Sequence, residues 1–139
     1  MLYLLNSMNK SNSQYSNIRN QNKNEILEDY VEAIQEIAEV KGDVKNADLA
    51  LHFGVSLATI NKNLKRLINF NLVKSEPYRS IFLTKEGKKL AEISKEKHEI
   101  VYQFLLKLGV SKKVAQYDSE GIEHHVSEET LRLMKKFYK

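Results

Sequence analysis

The stretch ADLALHFGVSLATINKNLKRLI, residues 47–68, decides the fold of this 139-residue chain. A short helical run ends at Gly54, a turn containing Ser56 follows, and a second helical run begins directly after it. Two helices joined by a turn of about three or four residues are typical of a helix-turn-helix. The buried stripe predicted for the second helix has four members at helical spacing: Ile60, Leu64, Leu67 and Ile68.

The segments on either side of this stretch complete the arrangement. Upstream, residues 25–40 carry apolar side chains at helical spacing, and Gly42 ends that run. Downstream, two short extended runs, residues 72–76 and 80–83, are joined by a turn that contains Pro77. Helix, helix, turn, helix and a two-stranded wing is the order of a winged helix-turn-helix.

The rest of the chain is predicted to be helical. A long helix begins near Thr84, passes a mild weak point at Gly87 and ends at Gly109. Three shorter helical elements follow, beginning near Ser111, Asp118 and Ser127.

This order predicts a mainly α protein with two domains. We expect a winged helix-turn-helix domain over residues 25–86, followed by an all-helical domain over residues 87–139. The Asn- and Ser-rich residues 1–24 offer little that could fill a core, and we expect a disordered arm there.

Charge is distributed unevenly along the chain. The net charge is +4, but residues 25–54 carry two bases against eight acids, while residues 55–90 carry eight bases against two acids. A polyanion would therefore meet the middle of the chain, although an ordinary solvated basic surface explains the charge equally well.

Composition excludes several classes of protein. There is no cysteine, which excludes disulfides, thiolate metal ligands and a cysteine nucleophile, and which fits a reducing compartment. No apolar run approaches the roughly 18 residues of a membrane-spanning helix. The apolar residues 1–5 are too few, and lack the basic flank, for a secretory signal. We therefore expect a cytoplasmic protein without a membrane partner.

The second helix of the helix-turn-helix offers side chains suited to DNA. Its polar and basic residues suit base edges and phosphates, and the wing adds one arginine. The candidate DNA-binding residues are Ser56, Leu57, Ala58, Thr59, Asn61, Lys62, Lys65, Arg66 and, in the wing, Arg79. A helical hairpin without a binding role is the alternative, but the hairpin, the wing and the basic window agree, and together they favour double-stranded DNA as the partner.

A second cluster has the residue types of a metal site. Glu120, Glu123 and His124 stand at i, i+3 and i+4, so that a helix would bring them to one face. Two oxygen donors and an imidazole can form half of a divalent-metal site, although alone this short motif more often marks a solvated helix face. From pattern alone, Asp29 and Glu32 belong to an acidic stripe facing water, and His98 is a lone histidine on the long helix.

Five segments together resemble the manganese transport regulators, a branch of the diphtheria-toxin-repressor family. They are EDYVEAI (28–34), VSLATINKNLKRL (55–67), FLTKEGKKLA (82–91), KHEIVYQFLLKLGV (97–110) and SEGIEHHVSEETL (119–131). The resemblance covers residues 25–138 and implies a homodimer with a winged-helix lobe, a helical dimerisation lobe and a site for two metal ions between them. The ligands that it implies are Asp29, Glu32, His98, Glu120, Glu123 and His124.

The resemblance also implies the function. Four carboxylates and two imidazoles form an oxygen-rich site suited to Mn²⁺, although Fe²⁺ and Zn²⁺ are also able to bind such donors. We therefore predict a manganese-responsive repressor of metal-uptake genes, with no catalytic role and no small-molecule substrate. The alternatives are an iron-responsive regulator of the same family and a winged-helix regulator without metal sensing. A metal-dependent hydrolase is disfavoured because six ligands would leave no open coordination position.

Overall fold

The computed structural model describes residue 16, residues 24–75 and residues 80–139. Its first helix, α1, covers residues 24–41. The elements that follow are α2 (Asn46–Phe53), α3 (Leu57–Asn69), β1 (Val73–Lys74), β2 (Phe82–Leu83), α4 (Lys85–Leu108), α5 (Lys112–Ile122), a 3₁₀ turn (Glu123–His125) and α6 (Glu128–Tyr138). Most of the predicted arm, and Arg79 in the wing, lie outside the described residues.

Side-chain caps fix where four of the helices begin. The hydroxyl of Ser56 accepts a hydrogen bond from the backbone N–H of Thr59, at 3.2 Å, and so satisfies a donor that the first turn of α3 leaves free. Equivalent caps start the helices α4, α5 and α6, at Thr84, Ser111 and Ser127. The C-terminal end of α2 is set by Gly54, which has a left-handed φ of 65° and ends the helix as predicted.

The first hydrophobic core lies among α1, α2, α3 and the wing. Its fully buried members include Val31, Leu49 and Ile60, one from each of the three helices. The stripe predicted for α3 is confirmed at Ile60, Leu64 and Leu67, but the prediction was wrong for Ile68, which is 43% exposed. Ile68 follows Leu67 by one position, about 100° around the helix, and so turns away from the core.

The wing is a short antiparallel pair held against the start of α4. Val73 faces Leu83 across the pair, and the hydroxyl of Thr84 donates to the carbonyl oxygen of Asn71 at 2.6 Å. Gly87 packs directly on this hairpin, because a Cβ added there would overlap the carbonyl oxygen of Leu72. The glycine treated as a weak point of the helix is therefore a point of close approach.

Helix α4 belongs to both halves of the molecule. Ala91 near its beginning is buried in the first core, whereas Ile100 and Val101 are buried in a second core with Leu131 of α6. Two separate helical turns were expected after residue 110, but α5 is one continuous helix that ends at Ile122. No helix in the described part of the chain is long and apolar enough to cross a membrane.

Candidate metal centre and nucleic-acid interface

Acidic and histidine side chains gather where α1 and α4 meet the end of α5. They fall into two groups, within each of which one potential ligand atom per residue lies within 4.8 Å of the others. We call them the α1 group, which is Glu25, Asp29 and His124, and the α4 group, which is His98, Glu120 and Glu123. The groups adjoin, because Nε2 of His124 lies 3.7 Å from Oε1 of Glu123.

The α1 group joins the first helix to the 3₁₀ turn. Glu25 and Asp29 lie one helical turn apart on α1, so their carboxylates share a face. The side chain of His124 is 1% exposed, and its Nε2 lies 2.8 Å from Oδ1 of Asp29. Its other ring nitrogen, Nδ1, lies 2.8 Å from Oε2 of Glu28. His124 is therefore surrounded by carboxylates of α1.

The α4 group is formed by the second half of the chain alone. Nδ1 of His98 lies 3.5 Å from Oε1 of Glu120 and 3.4 Å from Oε1 of Glu123. Glu123 is fully buried, whereas the Glu120 side chain is 57% exposed. Gln116 of α5 contacts Nε2 of His98 at 3.3 Å, and so holds the other edge of the ring. The group thus has one closed side and one side open to solvent.

Glu32 lies between the two groups without belonging to either as defined. It lines two clefts, one of which it shares with Asp29 and Glu120 and the other with His98. Burial, together with the negative charge of Glu123, raises the pKa of Glu32 to about 7. A cation bound beside Glu32 would instead lower the pKa of this carboxyl group.

The two histidines hold a proton at neutral pH. The carboxylate of Glu123 raises the pKa of His98 to about 9, against the opposing effect of burial. Burial alone would lower the pKa of His124, but the carboxylates of Asp29 and Glu28 raise it to about 10. These protons offset part of the negative charge that the site would otherwise carry.

Unpaired buried atoms show that the residues present fit a cation. Both carboxylate oxygens of Glu123 and Nε2 of His124 are buried, and none of the three makes a hydrogen bond of good geometry within the described residues. Such atoms are costly to bury unless a water, an ion or another partner satisfies them. Carboxylate oxygens and imidazole nitrogens, without sulfur, are the donors of a site for a hard or borderline divalent metal.

The structure brings together five of the six ligands proposed from the sequence and sets Glu32 beside them. The sequence predicted one helical face for Glu120, Glu123 and His124, but α5 ends at Ile122 and the last two lie in the 3₁₀ turn. His124 is thereby directed to α1, while Glu120 and Glu123 face His98. Sequence reasoning did not include Glu25, which the structure places with Asp29 and His124; the only sequence signal was its position one helical turn before Asp29.

The proposed DNA-binding side chains lie on the exposed face of α3. Seven of them are exposed to solvent: Ser56, Leu57, Ala58, Thr59, Asn61, Lys62 and Lys65. Arg66 is half-buried, and the described residues do not include Arg79. The side-chain oxygen of Asn61 accepts from Nδ2 of Asn46 at 2.6 Å, which fixes its orientation and leaves its NH₂ group available. An exposed start of a second helix, with two lysines one turn further on, suits the major groove.

Comparisons with known proteins agree with both the DNA-binding face and the metal centre described above. Residues 24–81 match the family profile "Iron dependent repressor, N-terminal DNA binding domain", and residues 84–139 match "Iron dependent repressor, metal binding and dimerisation domain". The chain therefore belongs to the iron-dependent repressor family of metal-dependent transcriptional regulators, which confirms that it is not an enzyme. The predicted fold class is confirmed as well.

Individual relatives place the chain more narrowly within the family. It is 46% identical over 123 residues to the transcriptional regulator MntR of Escherichia coli O6:H1, an alignment that spans 88% of this chain and 79% of that protein. It is 36% identical over 101 residues to the HTH-type transcriptional regulator MntR of Bacillus subtilis strain 168, spanning 73% and 71%. The resemblance to the manganese transport regulators is confirmed by these relatives.

Solved structures share the fold. The manganese regulator SloR superposes with a TM-score of 0.70 at 28% identity, over 81% of this chain and 54% of SloR. A manganese-dependent transcriptional repressor solved with manganese gives a TM-score of 0.72 at 24% identity, over 81% and 52%. The chain thus spans about half the length of these solved proteins.

Proposed function

We propose that the protein is a manganese-responsive repressor of metal-uptake genes, which binds a double-stranded operator as a homodimer in the cytoplasm. Two Mn²⁺ ions per subunit would be held by Asp29, Glu32, His98, Glu120, Glu123 and His124, with Glu25 as an additional ligand. The DNA-binding domain would cover residues 25–86 and the metal-sensing and dimerisation domain residues 87–139. The manganese regulators among the relatives support the choice of metal.

One observation carries the proposal. Ligand atoms of Glu123 and His124 are buried without a hydrogen-bond partner among the described residues, at the boundary between α1 and the second half of the chain. A site at that boundary can report metal to the DNA-binding face, because Glu25 and Asp29 belong to the helix that packs against α3 in the first core.

The chain's own charges explain how the response would work. Without metal, each group holds two carboxylates whose ligand atoms lie within 4.8 Å of one another, and the protons on the two histidines offset only part of that negative charge. Bound Mn²⁺ would supply the positive charge that neutralises the rest. The α3 helices of the dimer would then be held about 34 Å apart, which is one turn of DNA. Asn61 and Thr59 would contact bases, while Lys62, Lys65 and Arg66 would contact phosphates.

Iron is the second candidate effector. The profiles that match both domains carry the words "iron dependent repressor". Oxygen and nitrogen donors also accept Fe²⁺, and intrinsic affinity at such a site follows the order of the metal series and not the identity of the physiological effector. The two candidates therefore have to be separated by the DNA-binding response.

The test measures the affinity of the full chain for its own upstream DNA and for importer promoters by fluorescence anisotropy. Mn²⁺, Fe²⁺ and Zn²⁺ are titrated separately at one fixed salt concentration, with chelator as the reference. We expect Mn²⁺ to tighten binding by roughly 10- to 100-fold, within the usual range of allosteric coupling. Equal affinity with Mn²⁺ and with chelator would overturn metal sensing, and a response to Fe²⁺ alone would replace manganese by iron.

Two variants divide the response into its parts. Glu123→Gln should keep the chelator-state affinity and lose most of the tightening, because it removes a buried ligand charge. Lys62→Ala should weaken binding with and without metal and reduce the salt dependence by about one counterion per subunit, or about two per dimer. Glu39→Gln, which removes an exposed carboxylate of α1 away from the site, is the control and should leave both quantities unchanged.

A further inference from the structure

Glu28 has a position unlike that of the other acidic residues of α1. It is buried, at 9% exposure, and each of its oxygens has a separate partner. Oε1 accepts a hydrogen bond from Nζ of Lys97 at 3.1 Å, and Oε2 lies 2.8 Å from Nδ1 of His124. Lys97 belongs to α4 and His124 to the 3₁₀ turn, so one carboxylate of the first helix binds two elements of the second half of the chain.

The contact with His124 determines which ring nitrogen faces the proposed metal. With Nδ1–H donating to Glu28, the opposite nitrogen, Nε2, is directed to Asp29, 2.8 Å from its Oδ1. Despite this short distance, Nε2 is buried without a hydrogen bond of good geometry in the described part of the chain. When the ring nitrogen that does not bind metal donates to a carboxylate, the histidine is held in one orientation and one tautomer. The other nitrogen is then a better metal ligand.

Lys97 makes the burial of Glu28 tolerable. A carboxylate taken out of water is stable when it is paired and hydrogen-bonded, and Lys97 supplies a positive charge that does not depend on metal. The three residues therefore connect α1, α4 and the 3₁₀ turn before any cation is bound.

We propose that Glu28 is a positioning residue, which orients His124 for metal and, with Lys97, holds α1 in register with the second half of the chain in the metal-free protein. The proposal rests on the proposed metal-sensing function. It assigns Glu28 no direct bond to the metal, because both of its oxygens already have protein partners.

The first measurement is Mn²⁺ affinity, by calorimetry on the full chain. Glu28→Ala should weaken binding by about 10- to 100-fold, the usual effect of removing a carboxylate behind a metal-bound histidine. Glu28→Gln should weaken it less, because the amide oxygen still accepts from Nδ1–H. Glu39→Gln is the matched control on the same helix. Affinity of Glu28→Ala within about twofold of the unmodified chain would overturn the proposal.

A second readout separates orientation of the ring from general destabilisation. In the Zn²⁺-bound, ¹⁵N-histidine-labelled protein, we expect His124 to carry its proton on Nδ1, and we expect that signature to be lost in Glu28→Ala. If Glu28→Ala does not fold, Glu28→Met replaces it, because methionine keeps the bulk of the side chain and offers Nδ1–H no oxygen acceptor. A several-fold loss of affinity with a perturbed Nδ1–H signal would then support the proposal, and an unchanged affinity and signal would overturn it.

Failure of the proposed function would look different. If the unmodified chain binds Mn²⁺ without any change in DNA affinity, metal sensing fails whatever Glu28 does. If the unmodified chain responds to Mn²⁺ and Glu28→Ala responds equally, the role of Glu28 alone is overturned.

Discussion

The side chains of His98 and His124 hold a proton at the positions where they would bind a cation. Their pKa values of about 9 and about 10 mean that both rings are protonated at pH 7. Each ring must lose one proton before its nitrogen can bind metal, so proton release and metal binding are linked.

We therefore expect Mn²⁺ affinity to rise with pH. Between pH 6 and pH 8, below the folded pKa values of both histidines, each bound ion that uses one histidine should displace about one proton, so affinity should rise about tenfold per pH unit. The ion that also uses Glu32, whose pKa is about 7, should displace a further fraction of a proton at the acidic end of this range. Calorimetry in buffers of different ionisation enthalpy counts the protons directly. Affinity that does not change over this range would mean that the histidines are not ligands.

Glu25 offers a second prediction at the scale of single residues. Its Oε2 lies 3.1 Å from Nε2 of His125, and it shares the α1 group with Asp29 and His124. Glu25 is only partly buried and its partner His125 is exposed, so we expect Glu25→Gln to weaken Mn²⁺ affinity by a few-fold and Asp29→Asn to weaken it more. Calorimetry on the two variants compares them, and a larger effect of Glu25→Gln would make Glu25 the stronger carboxylate ligand of the α1 group.

Among the elements, the junction of the wing and α4 depends on the absence of one side chain. A Cβ at Gly87 would overlap the backbone carbonyl of Leu72, and backbone atoms move less easily than the end of a side chain. We expect Gly87→Ala to lower the free energy of unfolding by about 1–3 kcal/mol or more, as overpacking does elsewhere, in spite of the better helix propensity of alanine. Urea unfolding of the metal-free protein measures the loss.

Gly121 provides the matched control for Gly87. It lies within α5, and a Cβ there meets no atom within 4 Å among the described residues. Gly121→Ala should therefore leave stability unchanged or raise it by up to about 1 kcal/mol. A Gly87→Ala protein as stable as Gly121→Ala would show that the hairpin adjusts without cost.

Helical spacing and capping residues are local properties, and they predicted most of the elements from the sequence. Gly54, Ser56 and Ser127 end or begin helices where the pattern indicated. The point where α5 gives way to a 3₁₀ turn was not predictable, because it depends on the contact of His124 with α1, almost 100 residues earlier in the chain. The role of Glu28 was hidden for the same reason, since an acidic residue looks alike in sequence whether it is solvated or buried.

At the scale of the whole molecule, the two ligand groups differ in what they connect. The α4 group takes all of its residues from the second half of the chain, whereas the α1 group joins Glu25 and Asp29 to His124. One cation position can therefore form within the dimerisation half, and the other needs both halves. The order of occupancy would decide when the DNA-binding half is fixed in place.

This arrangement gives a prediction for the complete chain. An alanine inserted after Lys95, which is exposed on α4, should leave the α4 group intact and separate the α1 group. Calorimetry should then find about one strongly bound Mn²⁺ per subunit in place of two, and DNA affinity should no longer respond to the metal. The substitution Lys95→Ala, which changes composition without adding a residue, should retain both ions and the response.

The reason lies in the continuity of α4 through both hydrophobic cores. A helix of 24 residues is about 36 Å long, and each residue added to it turns everything beyond by about 100°. The two cores are therefore joined by one continuous helix and not by a hinge. The rotation of one core relative to the other is set by the number of residues between Ala91 and Ile100. Lengthening or shortening that interval by one residue would rotate the two cores out of alignment, even though every contact within each core could be preserved.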